Sequence, residues 1–395
     1  MTRPTLEVAD IIRHHGKHFI ESNRSRLTWQ QLKVLRAIER CRTAALGGHL
    51  DRCSRCGHRA ISYNSCRNRH CPKCLTNARD RWLAERQKEL LNVGYFHVVF
   101  TLPHELSWLA LHNQKVIYSL LFRASAETML EIAADPTHLG AQIGFLSVLH
   151  TWGQRLDHHP HVHCVIPAGG LSPDGQRWIR PRYAFFLPVK VLSRVFRGKF
   201  VAGLKRAFHK KELLFPGSLQ VLQEENAFGA FLRTLFRQDW VVYAKPPFGG
   251  PEHVLHYLAR YTHRVAISNH RLIRLADGQV TFRWTDYAHG NKKRKMTVNA
   301  DEFLRRLLLH VLPKGFVRIR FFGFLAHRRR ALLPHCQRLL NMQPPLSRSS
   351  APPTQPVAAS WTCPLCGGPM ILVERLTAQQ IVTRSAGLRS FIDTS

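Results

Sequence analysis

Apolar residues recur at helical spacing through the first fifty positions, over residues 6–12 and again over 29–45, which predicts helices. A cysteine-rich stretch follows, then a charged helix over residues 76–91. At Tyr95 the period changes. Tyr95-Phe-His-Val-Val-Phe-Thr-Leu102 reads as a buried strand, closed by Pro103. A helix is predicted over 114–134, a strand over 143–152, and another over 161–166 that ends at the turn-forming Gly169-Gly170. Helices over 190–211 and 226–236 precede a strand over 240–244 and the turn Pro246-Pro-Phe-Gly-Gly250. A short helix is expected from about Glu252, and strands recur over 265–284. This order predicts an α+β fold, an antiparallel sheet flanked by helices, behind an N-terminal helical and zinc-ribbon module.

The expected segments are an N-terminal helical part (1–48), a cysteine-rich ribbon with its connecting helix (49–92) and a main domain (93–340). A linker (341–360) with five prolines in twenty residues leads to a C-terminal tail (361–395).

Charge then narrows the partner. Against 25 Asp and Glu stand 58 Lys and Arg, a formal charge of +33, with 24 His besides. Such a surplus repels itself, and its complement is a polyanion, nucleic acid first. The charge-free stretch 136–154 is broken by His138, Gly140, Gln142, Gly144 and His150, so it is not a membrane span. The start shows no apolar run with a cleavage site, so the expectation is a cytoplasmic, nucleoid-associated protein with no membrane partner. Ten cysteines in that setting point to metal rather than disulfides.

Cys53-x-x-Cys56 and Cys71-x-x-Cys74 lie fourteen residues apart. Two thiolates two residues apart bite one tetrahedral ion, and two such knuckles close a four-thiolate site without room for water. The reading is a structural Zn2+ held by Cys53, Cys56, Cys71 and Cys74, with His49, Cys66 and His70 as substitute ligands. Arg52, Arg55, Arg59, Arg67, Arg69 and Lys73 around it suit phosphate contacts. Cys363-x-x-Cys366 is half such a site, to be completed by His335 and Cys336 or left unfilled.

His161-Val162-His163 sets two imidazoles on one face of a strand and Val162 on the other. If residues 155–160 form a hairpin loop, Gln154 falls opposite His161 and supplies a third ligand; His150, Asp157 and His159 compete for that place. Tyr257 and Tyr261, four apart on a helix, share one face. The same spacing fits a buried core stripe with Val254, Leu255 and Leu258, although Arg260, His263 and Arg264 favour a phosphate-facing site.

With these residues in order, the chain resembles the two-tyrosine rolling-circle transposases of insertion-sequence family ninety-one, within the HUH single-strand endonuclease superfamily. The likeness rests on Val99-Phe-Thr-Leu-Pro103, His159-Pro-His-Val-His-Cys164, Tyr243-Ala-Lys-Pro-Pro-Phe-Gly-Gly250 and Tyr257-Leu-Ala-Arg-Tyr-Thr-His-Arg264, and covers residues 27–340. It implies a catalytic Mg2+ or Mn2+ on His161, His163 and a third residue, taken as Gln154. It also implies that Tyr257 and Tyr261 are nucleophiles forming a 5′-phosphotyrosine with single-stranded DNA of the element ends and target. The phosphotyrosine bond keeps the phosphodiester energy, so no nucleotide cofactor is needed.

Arg260 and Arg264, with the run Lys292, Lys293, Arg294 and Lys295, are the DNA-binding candidates; Arg318, Arg320 and 328–330 add further charge. Phe282, Trp284 and Tyr287 are candidates for base stacking. A replication initiator or relaxase with the same chemistry is the first alternative. A non-catalytic zinc-dependent DNA-binding protein is the second; it leaves the histidine strand and paired tyrosines unexplained.

Overall fold

The computed structural model describes residues 4–181, 187–248, 254, 265–287, 289–342 and 361–385. The expected helix carrying Tyr257, Arg260, Tyr261 and Arg264, and the Pro-rich 343–360 stretch, lie outside them. The chain divides into two compact units: the described parts of 1–78, 267–305 and 346–395, and those of 79–266 and 306–345. The strands over 272–299, read from sequence within the 93–340 stretch, therefore group with the N-terminal unit.

In that first unit, helices α1 (Val8–Ser22) and α2 (Trp29–Arg40) pack together. Their spacing buries Val8, Ile11, Ile12 and Phe19 on α1 and Val34, Leu35 and Ile38 on α2. Thr28 and Gln31 cap α2 reciprocally. The hairpin of β1 (Gly48–Cys53) and β2 (Arg59–Tyr63) gains a third antiparallel strand from the far end of the sequence, β13 (Met370–Leu376), in the order β13-β1-β2. A second sheet, β11-β10-β9, comprises β9 (Leu272–Ala276), β10 (Gln279–Asp286) and β11 (Lys292–Asn299). Phe282 of β10 is fully buried against Phe303 of helix Ala300–Leu308, so it is core and not a stacking platform.

The second unit is built on a five-stranded antiparallel sheet in the order β12-β4-β5-β3-β8. Its strands are β3 (Tyr95–Thr101), β4 (Gly144–Trp152), β5 (His158–Pro167), β8 (Val242–Phe248) and β12 (Ile319–Gly323). Alternation decides its two faces. Phe96, Val98, Phe100, Phe145, Leu149, Val162, Cys164 and Ile166 point into the main core. There they meet α5 (Gln114–Ala134) and α6 (Val189–His209), which bring Tyr118, Leu121, Phe122, Phe196 and Phe200. Burying so much aromatic and aliphatic surface is the main term that fixes the sheet. The opposite face carries a smaller cluster of Tyr95, Leu146, Val148 and Val165. Beside that cluster it carries the histidines.

Candidate metal and DNA site

Three imidazoles meet on that face. The register pairs His150 of β4 with His161 of β5, and Val148 with His163. One ligand nitrogen from each of His150, His161 and His163 lies within 4.8 Å of the others. Their rings stand edge to face, with centroids 4.5 Å apart for His150 and His163 and 4.9 Å for His161 and His163. His150 and His163 are buried, and Trp152 stacks on His150 at 4.6 Å.

The pairing of Gln154 with His161 expected from sequence does not form. β5 begins at His158, three residues earlier than expected, and the register shifts between His150 and Trp152. That moves the residue opposite His161 back to His150 and leaves Gln154 in the tight turn closed by Gly153 N–H to the Asp157 carbonyl. His159 and Asp157 are placed otherwise. The His159 carbonyl accepts from His161, and Asp157 pairs with Arg155.

Hydrogen bonds at Nδ1 make Nε2 the candidate ligand atom of His161 and His163. The His159 carbonyl can only accept, so His161 carries its proton on Nδ1 at 2.7 Å and offers the Nε2 lone pair. His163 Nδ1 lies 2.8 Å from Nε2 of His97, a residue of β3 that is 3 % exposed, with the two rings nearly coplanar. A proton on His163 Nδ1 donated to His97 likewise leaves His163 Nε2 for an ion. Burial, with the Lys245 and His161 charges, pushes His97 down to about 3, so it is neutral at physiological pH and able to accept that proton. Sequence reading missed His97. Its only signal was a polar residue on the histidine face of an otherwise apolar strand.

Lys245 sits opposite His97, and Tyr243 opposite Val99, so both share the face of the histidines; Tyr243 is half exposed. Arg320 points the other way. Its guanidinium covers Phe122 at 4.3 Å and hydrogen-bonds Ser119 and the Val317 carbonyl. Arg330 pairs with Glu89. On β11 of the first unit, Lys292, Lys293, Arg294 and Lys295 are all exposed although their side chains alternate between faces, as suits an edge strand. Arg294 is tied to Asp286 at 2.9 Å.

The zinc ligands divide differently from the sequence expectation. Cys53 and Cys56 do not meet Cys71 and Cys74. Cys71 and Cys74 join Cys66, one of the expected substitutes, and Cys41, the residue that caps the C-terminus of α2. Sγ separations are 3.3 Å for Cys41–Cys74 and 3.4 Å for Cys66–Cys74. Cys53 and Cys56 instead meet Cys363 and Cys366. Cys336, the expected partner of that C-terminal pair, is buried among Leu91, Leu171, Phe324 and Leu333 of the other unit, and His335 bonds the Gly175 carbonyl. Lys73, expected to face phosphate, is nearly buried in an ion pair with Glu7 at 2.5 Å.

Cysteine tetrads and three clustered imidazoles on a strongly basic α+β framework define a metal-binding protein built to handle a polyanion. Comparison with known proteins narrows that class. Residues 144–331 match the family described as "Putative transposase", and residues 11–102 match the IS91-type "Transposase zinc-binding domain". The chain is 56% identical over 354 residues to the "Putative transposase y4qJ" of Sinorhizobium fredii, covering 89% of each chain. It is 28% identical over 299 residues to the transposase for insertion sequence element IS801 of Pseudomonas savastanoi pv. phaseolicola, covering 73% of this chain and 68% of that one. The chain belongs to the IS91-type transposase family. Among solved structures it matches the conjugative relaxase TrwC in complex with oriT DNA, metal-bound, at 15% identity over 63% of this chain and 73% of that one. The TM-score is 0.23. Among the described residues no helix is long and apolar enough to cross a membrane.

Proposed function

We propose that the chain cleaves and rejoins single-stranded DNA at element ends through a covalent 5′-phosphotyrosine, giving rolling-circle transposition. The observation that carries this reading is the cluster of His150, His161 and His163 on one sheet face in a member of this transposase family.

The donor set fits a divalent ion. Three nitrogens converge within 4.8 Å; with Nδ1–H directed to the His159 carbonyl and to His97, His161 and His163 would each present Nε2. His150, His161 and His163 would hold it, with His150 in the place expected for Gln154. When bound, the ion supplies Lewis-acid charge stabilisation and a template for the scissile phosphate. Three imidazoles without a carboxylate favour Mn2+ or a softer first-row ion over Mg2+.

Tyr257 and Tyr261 are the proposed nucleophiles. A phenol with an ordinary pKa of about 10 is mostly protonated at neutral pH, so its proton must leave as its oxygen attacks phosphorus. The P–O3′ bond breaks as the new P–O bond forms, and the 3′ oxygen takes up a proton. Rejoining reverses these steps, and two tyrosines allow one strand end to be passed to the other. Lys292, Lys293 and Lys295, exposed and unshared with the Asp286 carboxylate, suit phosphate contacts along the strand; Arg260 and Arg264 are proposed for the same purpose.

The test is a labelled single strand carrying an element end, incubated with the protein and Mn2+, then denatured. A covalent protein–DNA band is expected, lost in the Tyr257→Phe/Tyr261→Phe double variant and in His161→Ala. Binding without any adduct in the unaltered protein overturns the reading in favour of a non-catalytic DNA-binding protein.

A further inference from the structure

The family's zinc-binding stretch ends at residue 102, yet one cysteine tetrad draws half its members from residues 363 and 366. We propose that Cys53, Cys56, Cys363 and Cys366 bind a second structural zinc ion, which fastens the C-terminal segment 361–385 to the N-terminal hairpin.

Sulfur geometry is the first support. Cys53 and Cys366 lie 3.4 Å apart, Cys56 and Cys366 3.4 Å, and Cys56 and Cys363 3.7 Å. A tetrahedral ion with bonds of about 2.3 Å sets its sulfurs about 3.8 Å apart. Disulfides would bring pairs to about 2.05 Å. The spacing is that of ligands around an ion.

Backbone geometry is the second, and it is independent of the sulfurs. Both pairs sit in the same turn, Cys-x-x-Cys-Gly. Gly57 and Gly367 are left-handed at φ 74° and 68°, and each donates its N–H to the carbonyl of the first cysteine, Cys53 and Cys363. Each first cysteine in turn donates its own N–H across the turn, Cys53 to His58 at 2.8 Å and Cys363 to Gly368 at 2.7 Å. Two copies of one knuckle thus face each other, joined by Ser54 N–H to the Pro369 carbonyl. A knuckle holds two thiolates at one ion's bite. Facing another of its kind, it completes a closed four-sulfur shell.

The segment beyond the knuckle is built to lie on β1. β13 runs antiparallel to it from Cys53↔Met370 to Gly48↔Leu376. Met370 and Trp361 pack with Cys53 and Ala60, and Trp361 Nε1–H donates to the buried Asp51 at 2.9 Å. Ile381 of helix Ala378–Ser385 packs against Ile61 and Leu376. Yet Ile371, Leu372 and Val373 of β13 are substantially exposed, so the strand buries little beyond that one edge. Without a crosslink it is a short strand closing a loop of some three hundred residues, and closure of that length costs chain entropy. The ion supplies the crosslink.

The test uses the full chain loaded with Co2+ in place of zinc, because thiolate-to-cobalt charge transfer reads cysteine sites and is blind to the histidine cluster. The unaltered protein is expected to develop the band over two equivalents, and Cys363→Ser/Cys366→Ser to lose half of it. In that variant limited proteolysis is expected to cut the 361–385 segment first. A band saturating at one equivalent in the unaltered protein overturns the proposal, even if the variant fails to fold. An undiminished band in the folded variant overturns it too, as does mass spectrometry showing these four cysteines as disulfides. Strand cleavage by the unaltered protein is scored separately, so failure here leaves the transposase reading intact.

Discussion

Replacing His97 with Phe is expected to weaken ion binding at the histidine cluster without touching a ligand. The His97–His163 contact is 2.8 Å long, and the two side chains are buried at 3 % and 8 % exposure. Phe keeps the ring's volume but offers no acceptor, so the ligating tautomer of His163 loses the partner that its buried Nδ1–H has at 2.8 Å. An unsatisfied buried donor costs about 1–3 kcal/mol. His163 can escape by moving its proton to Nε2, which is the nitrogen the ion needs. Either way the loss falls on binding. At about 1.4 kcal/mol per tenfold, the apparent Kd for Mn2+ should rise about 10- to 100-fold, the range typical of lost outer-shell partners. Titration calorimetry with Mn2+ reads the affinity, and the adduct assay at saturating Mn2+ shows whether turnover returns. His97→Gln keeps a carbonyl acceptor and should recover most of the affinity. A folded Phe variant with an affinity within twofold of the unaltered protein would refute the reasoning. So would a Gln variant as weak as Phe.

Two further outcomes follow from charge. His158, whose Nε2 lies 2.7 Å from the Tyr118 hydroxyl, is pushed down to about 4 chiefly by burial. It is neutral in the fold and ordinary, near 6.5, when unfolded, so the stability it gives is full above pH 6.5. That stability is lost as pH falls toward 4, at up to about 1.4 kcal/mol per unit; urea unfolding across that range should show the slope, and His158→Asn should flatten it. On β11, replacing Lys292, Lys293 and Lys295 by Ala should lower the salt slope of single-strand binding by about 2, because each phosphate contact on a single strand contributes about 0.7. Fluorescence anisotropy over a salt series measures it, and an unchanged slope would exclude this strand from the DNA-binding surface.

Local pattern made much of this protein legible in its residues. The helical spacing of apolar residues in α5, the alternation that sends Val162 into the core and turns His161 and His163 away from it, and each Cys-x-x-Cys knuckle are set within a few positions of chain. The knuckles' partners are not. Any two Cys-x-x-Cys pairs are chemically alike, so nearness in sequence favoured Cys53 and Cys56 with Cys71 and Cys74. Pairing of β13 with β1 across the length of the chain chose Cys363 and Cys366 instead. Cys41 showed no spacing signal and became a ligand only where the end of α2 meets the second knuckle. The third histidine was decided the same way. Nothing local says that β5 begins at His158, and a strand's starting point sets which residue stands opposite every other. Residues declare the chemistry they carry, because a side chain's donor atoms are its own. Which of those atoms converge is settled by strand register and long-range pairing, whose energy comes from the whole core and is written at no single position.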